Sequence, residues 1–379
     1  MKPLTKPQDF PSATNFSYLN AANVSLMFNG AEEKIHDWFG DLSKNGSNNF
    51  TEEVEENVFK ALHQAAANLI NAEPNEISAG SSATELLSSL AWAISPRKGK
   101  NIVSTSSAFP STVYPWMRVT NSTGAEIRLA DAVSGFTSID DIKKLVNRET
   151  EVVCISHTEY NNGQTYDLIH LAEIAHQNDA ILVVDATQSA GAIPIDVQQC
   201  PIDVLVTGAY KWLCGPFGSA FMYIRHNLVN QLEPGLVGFR SHDNMWDLDA
   251  ARIRYKNDAS RFEFSTTAFG CAIGLTQSIE YLNAIGANKI YDYNLFLSDY
   301  LIEGLKKLDA IITTPLNQKE RSPIITAYFE NIDSVQLIKA LKSAKVFVSS
   351  RKESIRFSPH LYNSKEDIEL AISTIGENI

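Results

Sequence analysis

A carboxylate and an amine stand at two places where buried chain leaves a sheet. The apolar run Ile181-Leu182-Val183-Val184 ends in Asp185, and a second run, Asp203-Val204-Leu205-Val206, ends near Thr207. Lys211 follows 26 residues after Asp185, in the aromatic and glycine-rich turn YKWLCGPFG. That spacing leaves room for a crossover and the neighbouring strand. It brings both groups to the carboxyl edge of a parallel sheet, where α/β proteins bind their ligands. An amine there can hold a carbonyl group covalently, and a carboxylate can hold a positive charge. The plainer alternative is a helix-capping aspartate and a solvated lysine. A third element, Gly80-Ser81-Ser82-Ala83-Thr84-Glu85, opens an apolar helix. Its free N–H groups suit a phosphate, and Ser82 with Glu85 also reads as a capping box.

The surrounding pattern supplies the elements that position these groups. From about residue 77 to 230, short apolar runs such as Ile102-Val103 and Glu151-Val152-Val153-Cys154-Ile155 alternate with helix-like segments at 83–94, 138–147 and 169–178. Runs without polar alternation predict strands buried on both faces, hence an α/β fold with a mainly parallel sheet covered by helices. Residues 52–71 predict one amphipathic helix. Beyond residue 271 the pattern predicts helices at 271–285, 289–308 and 333–343, strands at 324–329, 345–350 and 354–358, and a last helix from 364. That sequence of elements makes a smaller C-terminal α+β domain. The division is an N-terminal segment, 1–25, packing on the small domain, a large domain, 26–270, and the small domain, 271–379.

The motif Asp185-Ala186-Thr187-Gln188, followed by YKWLCGPFG, resembles the active-site signature of the class V aminotransferase family, and the resemblance runs from about residue 18 to the C-terminus. It implies the fold type I architecture and pyridoxal 5'-phosphate as cofactor. It implies that Lys211 carries the cofactor as a Schiff base, that Asp185 keeps the pyridine nitrogen protonated, and that Gln188 hydrogen-bonds the ring oxygen. By the same resemblance Ala83, Thr84 and Tyr210 hold the phosphate and Phe109 covers the ring. Asn161 or Asn162 approaches the ring oxygen. Ser265-Thr266 is similar to the family's Gly-Thr pair, with Thr266 reaching the phosphate of the neighbouring subunit of a homodimer. Arg356, in SIRFSPHLYN, matches the arginine that grips the substrate carboxylate, a task suited to a guanidinium fork. Arg351 is placed to read a second acidic group or to be solvated. His157 and His360 read as structural histidines.

The segment VFVSSRKESIRFSP, where cysteine desulfurases carry a nucleophilic cysteine, contains none. A persulfide mechanism is therefore not expected. The short segment resembles kynureninase, isopenicillin N epimerase and PLP-dependent C–S lyases instead. The leading expectation is a C–S lyase acting by β-elimination on an amino acid, with Lys211 as base. Aminotransferase, epimerase or racemase, and a non-catalytic binding module on the same fold are the alternatives.

The totals agree with this class. The chain has 379 residues, 44% of them hydrophobic, and a net charge of −12. Such an acidic balance argues against nucleic acid and anionic membrane surfaces as partners. Cys154, Cys200, Cys214 and Cys271 are scattered, without metal spacing, so no metal site is expected. The N-terminal MKPLTKPQDF lacks the apolar core of a signal peptide, which leads to the expectation of a cytoplasmic enzyme.

Overall fold

The computed structural model describes residues 2–379. Seven strands form the large sheet, in the order Ile77–Gly80, Ala220–Ile224, Val204–Gly208, Ile181–Asp185, Thr150–Ser156, Asn101–Thr105 and Glu126–Ala130. Only Ala220–Ile224 runs against the rest, pairing antiparallel with both of its neighbours. The central strands are buried along their whole length, as Val204–Gly208 shows. This follows from their unbroken apolar composition, since helices cover both faces and leave no wet side for polar residues.

Ile181–Asp185 and Val204–Gly208 lie side by side and parallel, with Val183 opposite Val204 and Asp185 opposite Val206. Their carboxyl ends therefore open at one edge, and Thr150–Ser156 adds Ser156 beside Asp185. Helices Ala83–Ile94 and Pro110–Thr123 begin at the same edge.

The smaller C-terminal domain holds a four-stranded antiparallel sheet in the order Ser349–Arg351, Ser354–Phe357, Ile325–Tyr328, Ile311–Ile312. Helices Ala287–Lys307, Ser334–Ser343 and Lys365–Gly376 accompany it. Near the N-terminus, Ser17–Tyr18 pairs in parallel with Val346–Phe347. Helix Phe269–Ile285 packs on helices Asn29–Asn45 and Lys60–Ile70. It approaches closely because Gly270 and Gly274 are bare there. A Cβ on Gly274 would sit 2.7 Å from the Ile35 side chain.

The single helix expected over 52–71 is two, Glu52–Glu56 and Lys60–Ile70. Asn57 closes the first, its Nδ2 donating to the Glu53 carbonyl at 2.8 Å. The Glu55 carbonyl accepts from the Val58 N–H at 3.3 Å and also from Arg240 Nη1 at 3.0 Å. A distant side chain thus shares a backbone acceptor at the break.

Candidate active site

The pocket at the sheet edge is lined by residues from five segments, among them Ser82, Phe109, Asp185, Tyr210 and Lys211. Lys211 is 7% exposed. Its Nζ lies 5.5 Å from the Phe109 ring centre and 5.7 Å from that of Tyr210. Burial lowers its pKa to about 8. The Asp185 charge opposes that shift, and Arg356 and Arg351 reinforce it.

Asp185 is held from two sides. Its Oδ1 accepts from the Thr187 N–H at 3.0 Å and its Oδ2 from Thr112 Oγ1 at 2.8 Å. Each oxygen keeps a further lone pair for a ligand. The Gln188 amide reaches the Ala22 carbonyl through Nε2 and accepts from Trp212 Nε1 through Oε1, both at 3.0 Å. These bonds fix its orientation while it lines the pocket.

At the far wall, helix Ala83–Ile94 starts with Ser82 accepting from the Glu85 N–H. Glu85 returns the contact to the Ser81 N–H at 3.0 Å. Half of the expected capping box forms, since Glu85 turns to Ser81 and not to Ser82, and capping takes up the Glu85 N–H without using those of Ala83 and Thr84 in the first turn. Thr84 Oγ1 is tied to Ser111 Oγ at 2.8 Å, and both residues line the pocket. Tyr210 stacks on Phe217 at 4.8 Å. Phe109 is 42% exposed toward the opening, with Tyr160 edge-on at 5.3 Å.

Arg356 is fully buried on the small-domain strand Ser354–Phe357. Its Nη1 donates to the Tyr160 carbonyl at 2.6 Å, whereas Nε and Nη2 have no partner. Burial first, and Arg351 second, lower its pKa to about 9.

Other sequence-derived positions lie elsewhere. Asn161 and Asn162 do not line the pocket. Asn162 binds the Gly135 carbonyl and the Gln164 N–H, and Asn161 caps the Asn162 N–H. Tyr160, one residue earlier, faces the pocket in their place. Thr266 is exposed and outside the pocket of its own chain. His360 bridges Trp212 and Asn294, and burial lowers its pKa to about 3. His157 is buried with Nδ1 unpartnered, its pKa lowered to about 4. Neither histidine lines the pocket, nor does any cysteine. Burial raises the thiols of Cys154 and Cys214, the latter to about 12. Thr112, Ser111 and Tyr160 escaped the sequence reading, since each is chosen by contacts across the sheet edge and none sits in a distinctive motif.

These residues fit pyridoxal phosphate. The site provides a buried amine with depressed basicity, an anchored carboxylate and a helix N-terminus for the phosphate. An aromatic face stands over the pocket, and an unsatisfied guanidinium lies beyond it. The whole chain has the fold type I architecture. It resembles an apo cysteine desulfurase from Thermococcus onnurineus with a TM-score of 0.89 and 24% identity, over 98% of this chain and 97% of the other. A cystine C–S lyase in complex with cysteine persulfide matches with a TM-score of 0.87 and 21% identity, over 97% and 99%. The profile of the family described as Aminotransferase class-V matches residues 17–370, and the chain belongs to that family of pyridoxal-phosphate enzymes. An uncharacterised aminotransferase of Bacillus subtilis is 28% identical over 97% of this chain and 96% of its own length. A probable cysteine desulfurase of Pyrococcus abyssi is 26% identical over 84% and 82%.

Proposed function

We propose that this enzyme is a C–S lyase that performs β-elimination on a sulfur-bearing amino acid. The observation that carries the reading is a pocket holding one proton-transferring amine, Lys211, and no thiol. Pyridoxal phosphate, when bound, withdraws electrons from the substrate Cα and makes its proton removable. Asp185 holds the positive charge on the ring nitrogen. Arg356 takes the substrate α-carboxylate on its unpartnered Nε and Nη2, a parallel pair of charge-assisted bonds. That anchoring turns the Cα–H toward Lys211 Nζ, which accepts the proton. The C–S bond then breaks, the sulfur leaves with the bonding pair and takes the proton that Lys211 had accepted, and water hydrolyses the remaining enamine to a keto acid and ammonia. Phe109 excludes water over the pocket and contributes no proton.

The family resemblance and the exposed position of Thr266 support a homodimer in which Thr266 completes the partner's phosphate site. Asp185, Lys211, Gln188, Ala83, Thr84, Tyr210 and Phe109 are the proposed cofactor-binding set.

The test is product analysis with S-substituted cysteines and cystine as substrates. Stoichiometric pyruvate, ammonia and thiol support elimination. Their absence, with pyridoxamine phosphate and a keto acid accumulating, would establish transamination, the reading favoured by the aminotransferase relative.

A further inference from the structure

The hairpin that carries Arg356 carries a second guanidinium on the same face. Ser349 stands opposite Arg356, and Arg351 opposite Ser354. Residues two apart on a strand share a face, so Arg351 faces the same way as Ser349 and Arg356. Arg351 and Arg356 are diagonal neighbours, with backbones roughly 7–8 Å apart, a separation long side chains bridge. Arg351 is partly buried, and its Nη1 is spent on the adjacent Ser350 carbonyl at 2.6 Å. Its Nε is buried without a partner, as are Nε and Nη2 of Arg356. Three buried guanidinium N–H groups on one face therefore lack an acceptor.

Two neighbouring cations with unmet donors are unfavourable unless an anion joins them. One α-carboxylate has two oxygens and satisfies one guanidinium fork, here that of Arg356. The Arg351 Nε and its charge remain. We propose that Arg351 selects substrates whose side chain carries a second anionic group, so that the enzyme prefers dianionic amino acids over their neutral isosteres. This rests on Arg356 holding the α-carboxylate and is independent of which bond the enzyme breaks.

The experiment is a binding titration of the holoenzyme, read by the change in visible cofactor absorbance, with glutamate against glutamine and aspartate against asparagine. S-carboxymethylcysteine against S-carbamoylmethylcysteine extends the series. A charge-assisted bond predicts roughly 10- to 100-fold tighter binding of at least one acid than of its amide. Arg351→Met should abolish that preference while alanine still binds, and Arg351→Lys should restore part of it. Competition of succinate against propionate on the wild-type and Arg351→Met proteins gives a second reading that needs no turnover.

Equal binding of every acid and its amide by the wild type, or a preference that survives in Arg351→Met, overturns the proposal. Arg356→Met separates the two layers. If it abolishes binding of alanine and acids alike, the carboxylate reading stands whatever Arg351 does. If alanine still binds, that reading fails first.

Discussion

At the residue scale, the site is defined by charges that the fold leaves incomplete. Lys211 has a pKa lowered to about 8 chiefly by burial, so the amine is mostly neutral above that pH, while surface lysines near 10.4 stay charged. Acylation of the cofactor-free protein, followed by mass spectrometry of the peptide containing residue 211, should show a midpoint near pH 8. Asp185 favours the charged form, so Asp185→Asn should move the midpoint down. Arg356→Met should move it up by removing a like charge. A midpoint near 10 in the wild type would contradict this account. Arg356→Met has a second signature. Removing one partner of a buried charge-pair contact costs about 2–5 kcal/mol, so kcat/KM for amino acids should fall by roughly 30-fold to several thousand-fold. The cofactor-free variant should nonetheless melt at or above the wild-type temperature, because an unpaired buried cation is gone. That Lys211 and Asp185 share a pocket was legible in one motif, DATQ to YKW. The unmet donors of Arg356 were not, because an orphaned N–H is a fact of three-dimensional surroundings.

At the element scale, one buried carboxylate ties together the pieces around the turn at 80–85. Glu263 Oε1 accepts from the Ala79 N–H at 2.9 Å and from His63 Nε2 at 2.5 Å. It thereby links helix Lys60–Ile70, strand Ile77–Gly80 and the segment leading to Thr266. Burial raises its pKa, but His63, the Ala79 N–H and, least, Lys256 together hold it below the usual carboxylate value. Glu263→Gln should weaken cofactor binding roughly tenfold, the scale of a lost bond to a charged group. In equilibrium dialysis the loss should appear in pyridoxal-phosphate affinity, while kcat at saturating cofactor stays near wild type. Loss of kcat with unchanged affinity would sink the idea. The elements themselves were largely readable. Helices at 83–94 and 334–343 and the strands at 181–185 and 204–208 follow from runs that local periodicity marks. Helix Asn29–Asn45 was missed, since it buries only Ala31 and its other residues remain partly or fully exposed. The break after Glu56 was missed because the apolar periodicity of residues 52–71 runs on across it.

At the scale of the whole molecule, the described chain leaves features that a second copy would complete. Val237, Leu248 and Ile253 are exposed, Leu248 by 75%, and line one surface hollow. Contiguous exposed apolar surface marks an interaction face. Thr266, expected at a partner's phosphate, is exposed and outside its own pocket. These facts lead to a complementation test. Lys211→Ala disables the site that contains it, and Thr266→Glu places a negative charge against whichever phosphate Thr266 meets. If Thr266 serves the neighbouring subunit, a hybrid of one Lys211→Ala chain and one Thr266→Glu chain has one intact site. Its amine comes from the second chain and its threonine from the first. Each homodimer alone should be inactive, and co-expressed hybrids separated by differential tags should regain about half of the wild-type activity per dimer, one site in two. Sedimentation of the wild type should give twice the chain mass of 41.9 kDa. Recovery needs the two defects to fall in the same site of the hybrid, leaving the other whole. If Thr266 acted within its own chain, both sites of the hybrid would carry a defect and no activity would return.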